Sequence, residues 1–185
     1  MAEGEKNEGA GVGGVALDEE GEILLCYQHL WDKEMIEEKK DNKGARFGAK
    51  TSTLEMIGMI LPFILFPSSL KNRHVILSTD NIGCFFGWEN MAVKGDVTAS
   101  ILVRSLALMS AKLNCHVYVE HVPRCSTWGS KMADCLSRSG TTRGPAKKLL
   151  RSFSQPALPL FLTEWLKDPK EDWSLALMCT NFVSI

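Results

Sequence analysis

Apolar positions along the chain fall into short runs separated by polar punctuation, and the spacing within each run predicts its element. Gly11 to Leu17 (GVGGVAL) and Glu22 to Leu30 (EILLCYQHL) are two β-rich runs joined by Asp18-Glu19-Glu20-Gly21, the signature of a hairpin. Thr51-Ser52-Thr53 precede Leu54-Glu55-Met56-Ile57-Gly58-Met59-Ile60-Leu61, a helical run in which Ser52 and Glu55 have capping-box spacing. Pro62 is expected to kink that helix and Pro67 to end it. His74 to Thr79 (HVILST) reads as a buried strand closed by Asp80-Asn81. Residues 97–113 carry apolar side chains at 101, 102, 106, 108, 109 and 113, a helical pattern. Cys115 to Val122 (CHVYVEHV) is a further strand stopped by Pro123, and Thr127 to Arg138 a short helix closed by Gly140.

The order is β-β-α-β-α-β-α. A hairpin followed by alternating helices and strands implies an α/β fold in which a mixed sheet is flanked by helices. Residues 1–10 are glycine- and glutamate-rich and read as a flexible lead-in, and the charged segment 32–50 as an exposed connection. The domain is expected to span residues 11–140. Residues 141–185, with prolines at 156, 159 and 169 and two tryptophans, read as a tail or the start of a further unit.

Composition narrows the class. At 185 residues, 45% apolar and 23% charged, the chain suits one globular domain that folds without disulfides or a structural metal. Its longest apolar stretch, Met56 to Pro67, is about 12 residues against the roughly 20 of a membrane helix, so no membrane partner is expected. The first residues are acidic and polar, unlike a secretory signal. Six cysteines at 26, 84, 115, 125, 135 and 179 form no zinc spacing, which points to reduced thiols in the cytoplasm or nucleus. The net charge is −1, so any surface for nucleic acid must be local. Lys147, Lys148 and Arg151 have few acids nearby and are the better phosphate contacts, whereas Lys39, Lys40, Lys43, Arg46 and Lys50 are interspersed with acids and read as a solvated loop. Trp128 either stacks on a base or packs at its helix start.

Three acids stand among apolar residues. Glu55 lies early in an apolar helix, Asp80 closes a hydrophobic strand, and Asp134 lies within Met132-Ala133-Asp134-Cys135-Leu136. Carboxylates that converge at a sheet edge repel one another unless divalent cations neutralise them, and paired Mg²⁺ ions about 4 Å apart activate water and stabilise a leaving oxygen. Each acid also has an ordinary alternative: Glu55 completes a capping box with Ser52, Asp80 caps the helix that begins at Asn81, and Asp134 faces solvent.

Ala133-Asp134-Cys135-Leu136-Ser137-Arg138 resembles the A-D-x-L-S-R signature that closes the ribonuclease H domain of retrotransposon reverse transcriptases, in particular the DIRS-like, tyrosine-recombinase group. His121-Val122-Pro123, Ser78-Thr79-Asp80-Asn81, Leu54-Glu55 and the glycine-containing run from Gly11 to Ala16 resemble that family's other motifs in the same order. The resemblance covers residues 11–139. It implies a ribonuclease H-like fold, an RNA–DNA hybrid as partner, a reverse transcriptase domain upstream, and Mg²⁺- or Mn²⁺-dependent cleavage of the RNA strand with two ions. By the same resemblance, Asp80 bridges both metals, Glu55 holds the one on the substrate side, and Asp134 completes the other coordination sphere. Asn81 and Arg138, which stand in these motifs, join Trp128, Lys147, Lys148 and Arg151 as candidate nucleic-acid contacts.

The chain departs from the family at its first carboxylate. No aspartate precedes Asp18, which sits at the hairpin turn, and the only earlier acids are Glu3, Glu5 and Glu8. The expectation is that Met1 lies inside the domain and that the first strand is missing. A second reading follows, a catalytically inactive ribonuclease H-like module that binds nucleic acid or serves as a scaffold.

Overall fold

The structure, a computed structural model, describes residues 11–31, 39–40, 46–47, 51–138, 145–153 and 155–167. The described strands are β1 (Gly11–Leu17), β2 (Ile23–Leu30), β3 (Lys39–Lys40), β4 (Arg46–Phe47), β5 (His74–Thr79) and β6 (His116–His121). The described helices are α1 (Thr51–Leu65), α2 (Pro67–Leu70), α3 (Ile82–Asn90), α4 (Val97–Lys112), α5 (Trp128–Leu136), α6 (Pro145–Ser152) and α7 (Leu160–Lys167). The chain is therefore mixed α/β. It divides into two compact units, Met1–Glu37 with Arg124–Ala157 and Glu38–Pro123 with Leu158–Ile185. The expected lead-in at 1–10, most of the 32–50 connection, Gly140 and residues 168–185 lie outside the described residues.

The first unit is built on the expected hairpin. β1 and β2 pair antiparallel from Gly11↔Leu30 to Ala16↔Leu25, with a register shift between Ala16 and Leu17. The acidic turn holds itself: the Asp18 carboxylate accepts the N–H groups of Glu20 (3.1 Å) and Glu22 (2.8 Å), and Gly21 takes a φ of 85°. α5 packs on β1 and α6 on β2. α5 starts where Thr127 and Ser130 exchange side-chain-to-backbone hydrogen bonds at 3.0 Å. Its buried face places Met132 and Leu136 against Cys26 and Ala146, with Val15, Leu149, Leu150 and Phe153 around them. Gln155 then lies along the hairpin edge, accepting the Gln28 N–H at 3.1 Å and donating to the Cys26 carbonyl at 3.1 Å. Residues 145–157 thus complete this core.

The second unit holds α1 and α4 face to face, with Met56, Ile57, Ile60, Leu61 and Phe63 on one helix and Leu102, Leu106 and Met109 on the other fully buried. Pro62 sits inside α1, which runs on to Leu65. Pro67 is the first residue of α2, where its fixed φ and missing N–H cost nothing. β5 and β6 are parallel, from His74↔His116 to Thr79↔His121, with α3 and α4 packed against them.

Two expectations need correction. β5 is not buried on both faces: His74, Ile76 and Ser78 are exposed, and Ile76 and Tyr118 keep 66% and 65% of their surface. A parallel strand is enclosed only when helices cover both faces of its sheet, and an apolar run reads the same in either case. The strands also do not form one mixed sheet. Among the described residues they pair as β1-β2, β3-β4 and β5-β6.

Candidate carboxylate site and basic surface

Asp80 follows directly on β5 and Glu55 lies one turn into α1, both exposed and both in the second unit. The cap of α3 is Asn81, whose side-chain oxygen accepts the Cys84 N–H at 3.1 Å, while Thr79 Oγ1 accepts the Asn81 N–H at 3.1 Å. The capping role considered for Asp80 therefore falls to its neighbour, and the Asn81 amide, a candidate nucleic-acid contact, is engaged in the fold. Ser52, read from the sequence as the capping-box partner of Glu55, lies inside α1. Its hydroxyl donates to Asp96 Oδ2 at 2.6 Å.

Asp96 was not evident as a site residue from sequence. It is 3% exposed, caps α4 by accepting the Ala99 N–H at 3.0 Å, and takes the Thr53 hydroxyl at 3.0 Å as well. The signal was present as an aspartate after Gly95, three residues ahead of Ala99 in the next helical run.

Cys84, in the first turn of α3, reports where these acids lie. Burial pushes its thiol up to about 12, and the negative charges of Glu55, Asp96 and Asp80 each push in the same direction. Glu55 and Asp80 thus both add their negative charge to the field at one buried thiol. At neutral pH the thiol stays protonated and faces the Ser52 carbonyl at 3.6 Å.

Among the described residues, no group of three histidine, cysteine, aspartate or glutamate side chains is placed to hold a metal ion. Asp96 accepts two hydroxyls and a backbone N–H, and Glu55 and Asp80 are the two carboxylates of this unit that the sequence motifs single out. A pair of carboxylates suits Mg²⁺, which commonly takes one or two from the protein and fills its octahedron with water and phosphate oxygens.

Asp134 belongs to the first unit and is bound by two arginines. Arg138 donates from Nε to Oδ2 at 3.0 Å and from Nη2 to Oδ1 at 2.9 Å, and Arg124 donates from Nε to Oδ1 at 2.8 Å. The Arg138 hydrogen bonds above all, then Arg124, outweigh partial burial and hold this carboxyl below its usual range. The solvent-facing alternative is thereby replaced: within the A-D-x-L-S-R motif the arginine, one turn on, grips the aspartate. A depressed carboxyl adds stability above the unfolded value of 3.8 that is lost as pH falls through the lower folded value. Asp134→Asn should therefore cost about 1 kcal/mol at pH 7, the guanidiniums being exposed. Urea melts should show wild type and variant converging below about pH 4.

One segment of the same unit is basic, although its other segment, Met1–Glu37, carries ten acids against two lysines. Residues 124–157 hold seven basic residues against one acid, Asp134, a local excess that the chain-wide −1 conceals. Lys148 and Arg151 are exposed on α6, Lys147 is half-buried, and Trp128 is 50% exposed at the start of α5.

No helix among the described residues is long and apolar enough to cross a membrane. Comparison with family models, curated proteins and solved structures finds no match.

Proposed function

We propose that this chain is a ribonuclease H-like domain that binds RNA–DNA hybrid, of the kind retrotransposon reverse transcriptases carry beside their polymerase. The observation that carries the reading is the seven-to-one excess of basic residues between Arg124 and Ala157. Exposed basic side chains of this segment, Lys148 and Arg151 on α6 among them, would neutralise phosphates and release counterions on binding, which makes affinity fall steeply with salt. The resemblance of the motifs around Glu55, Asp80 and Asp134 supplies the hybrid as the preferred form. Reduced thiols suit the cytoplasm or nucleus, where this reading puts the protein.

A second reading, metal-dependent cleavage of the RNA strand, is favoured by the joint action of Glu55 and Asp80 on Cys84. Here the two carboxylates hold Mg²⁺ or Mn²⁺, and Asp134 acts as an anchor for Arg124 and Arg138. The ion, when bound, supplies an activated water and neutralises charge on the phosphodiester.

The test is incubation of the purified chain with end-labelled RNA–DNA hybrid, duplex DNA and single-stranded RNA, with Mg²⁺ or Mn²⁺. Hybrid should be bound preferentially at low salt, with affinity falling as salt rises. Cleavage that Asp80→Asn abolishes without loss of binding supports the nuclease. Binding without cleavage by either protein leaves the inactive module, and no preference for hybrid overturns the proposal.

A further inference from the structure

α5 and α6 enclose a shallow groove of about 240 Å³ lined by Trp128, Met132, Pro145, Lys148, Leu149 and Ser152. Its apolar part combines the buried Met132 and the half-buried Leu149 with the half-exposed indole of Trp128. Among the described residues, Lys148 is its only charged lining residue and no acid lines it. The Thr127–Ser130 hydrogen bonds lock the backbone turn from which Trp128 projects.

Size and charge select the occupant. The volume lies under the roughly 300–1,000 Å³ of pockets that enclose drug-sized ligands, which leaves room for one planar ring system. Lys148 at the rim, with Arg151 one turn further along α6 and Lys147 beside it, calls for an anion flanking that ring. A flat apolar face with regularly spaced anions beside it describes an unpaired nucleotide within a strand. We infer that the groove between α5 and α6 takes one unpaired base of a nucleic acid, stacked on Trp128, with its backbone phosphates on Lys148 and Arg151. Every base offers a π-face, so this site holds strands without reading their sequence. The inference rests on the nucleic-acid reading above and adds to it a preference for single-stranded flanks.

Fluorescence anisotropy with three labelled ligands tests it: a blunt RNA–DNA hybrid, the same hybrid with a short single-stranded overhang, and the overhang strand alone. Wild type should bind the overhang hybrid about ten-fold more tightly than the blunt one, the effect of one base–aromatic stack. Trp128→Ala should lose that gain, so that overhang and blunt hybrids bind it alike. Trp128→Phe, which keeps a ring in place, should retain part of it and guards against misfolding of the alanine variant. Lys148→Gln should weaken overhang binding and flatten its salt dependence.

An overhang that adds nothing in wild type, or a gain that survives in Trp128→Ala, overturns the groove while the hybrid reading stands. Tight, Trp128-dependent binding of the single strand without affinity for blunt hybrid overturns the hybrid reading and leaves the groove. Loss of all binding in wild type overturns both. A wild-type dimer in sedimentation velocity that Trp128→Ala dissociates assigns the groove to a second copy of the chain and also overturns the inference.

Discussion

Replacing Gly13 with valine should cost at least about 3 kcal/mol and can prevent the first unit from folding. A Cβ built on Gly13 collides with the Leu136 side chain and lies 2.7 Å from the Leu136 carbonyl carbon and 2.8 Å from the Ser137 nitrogen. These last two are backbone atoms at the end of α5 and cannot rotate away. That end is also tied down: the Gln28 side chain donates to the Leu136 carbonyl, and the Ser137 N–H bonds the Ala133 carbonyl at 2.9 Å. Relief therefore requires α5 to lift off β1, opening the core around Leu136, which is 0% exposed. A domain with 5–15 kcal/mol of total stability has little margin for such a loss. Gly21 makes the control. Its φ is 85° and nothing lies within 4 Å of its Cβ position, so Gly21→Ala should cost only about 1 kcal/mol through backbone strain. Urea unfolding followed by circular dichroism compares the variants, and a Gly13→Val protein within 1 kcal/mol of wild type would mean that α5 does not press on β1.

This contact shows what kind of information the sequence exposes. The glycines of GVGGVAL mark a strand that something approaches closely, but not that the something is a helix beginning more than a hundred residues later. Local patterns were legible: the hairpin with its Asp18 turn, the helical period of α4, the α5 cap at Thr127. Competition between neighbours was less so, since Asp80 and Asn81 are both competent caps and only geometry assigns the task to Asn81. The same holds for Ser52, whose spacing from Glu55 fits a capping box, yet whose hydroxyl goes to Asp96, 44 positions away. In the A-D-x-L-S-R motif the Asp134–Arg138 pair follows from helical spacing, whereas Arg124 enters from the loop ahead of α5. The groove beside Trp128 was hidden for a further reason: α6 falls in a segment that reads as a tail, and only its docking on the hairpin gives the tryptophan a facing wall.

Asp96→Ala should lower stability by about 3–4 kcal/mol. One carboxylate here satisfies the Ser52 hydroxyl at 2.6 Å, the Thr53 hydroxyl at 3.0 Å and the Ala99 N–H at 3.0 Å, and so joins the starts of α1 and α4. Losing the cap costs about 1 kcal/mol. The Thr53 hydroxyl, on a residue 2% exposed, then loses its charged acceptor, and hydrogen bonds to charged groups are worth about 1.5–3 kcal/mol. Asp96→Asn keeps an acceptor for the cap and should cost about half as much. Both variants remove a negative charge near Cys84, so its thiol should titrate below the wild-type value of about 12 while burial, the larger cause, still holds it above 9.0. Urea melts at pH 7 and a thiol titration by ultraviolet absorbance test the two effects together. A stable Asp96→Ala protein that has lost hybrid cleavage would instead make Asp96 a third carboxylate of the site. The sign of that result decides whether the end of the second unit holds two acids on a scaffold or three acids around a metal.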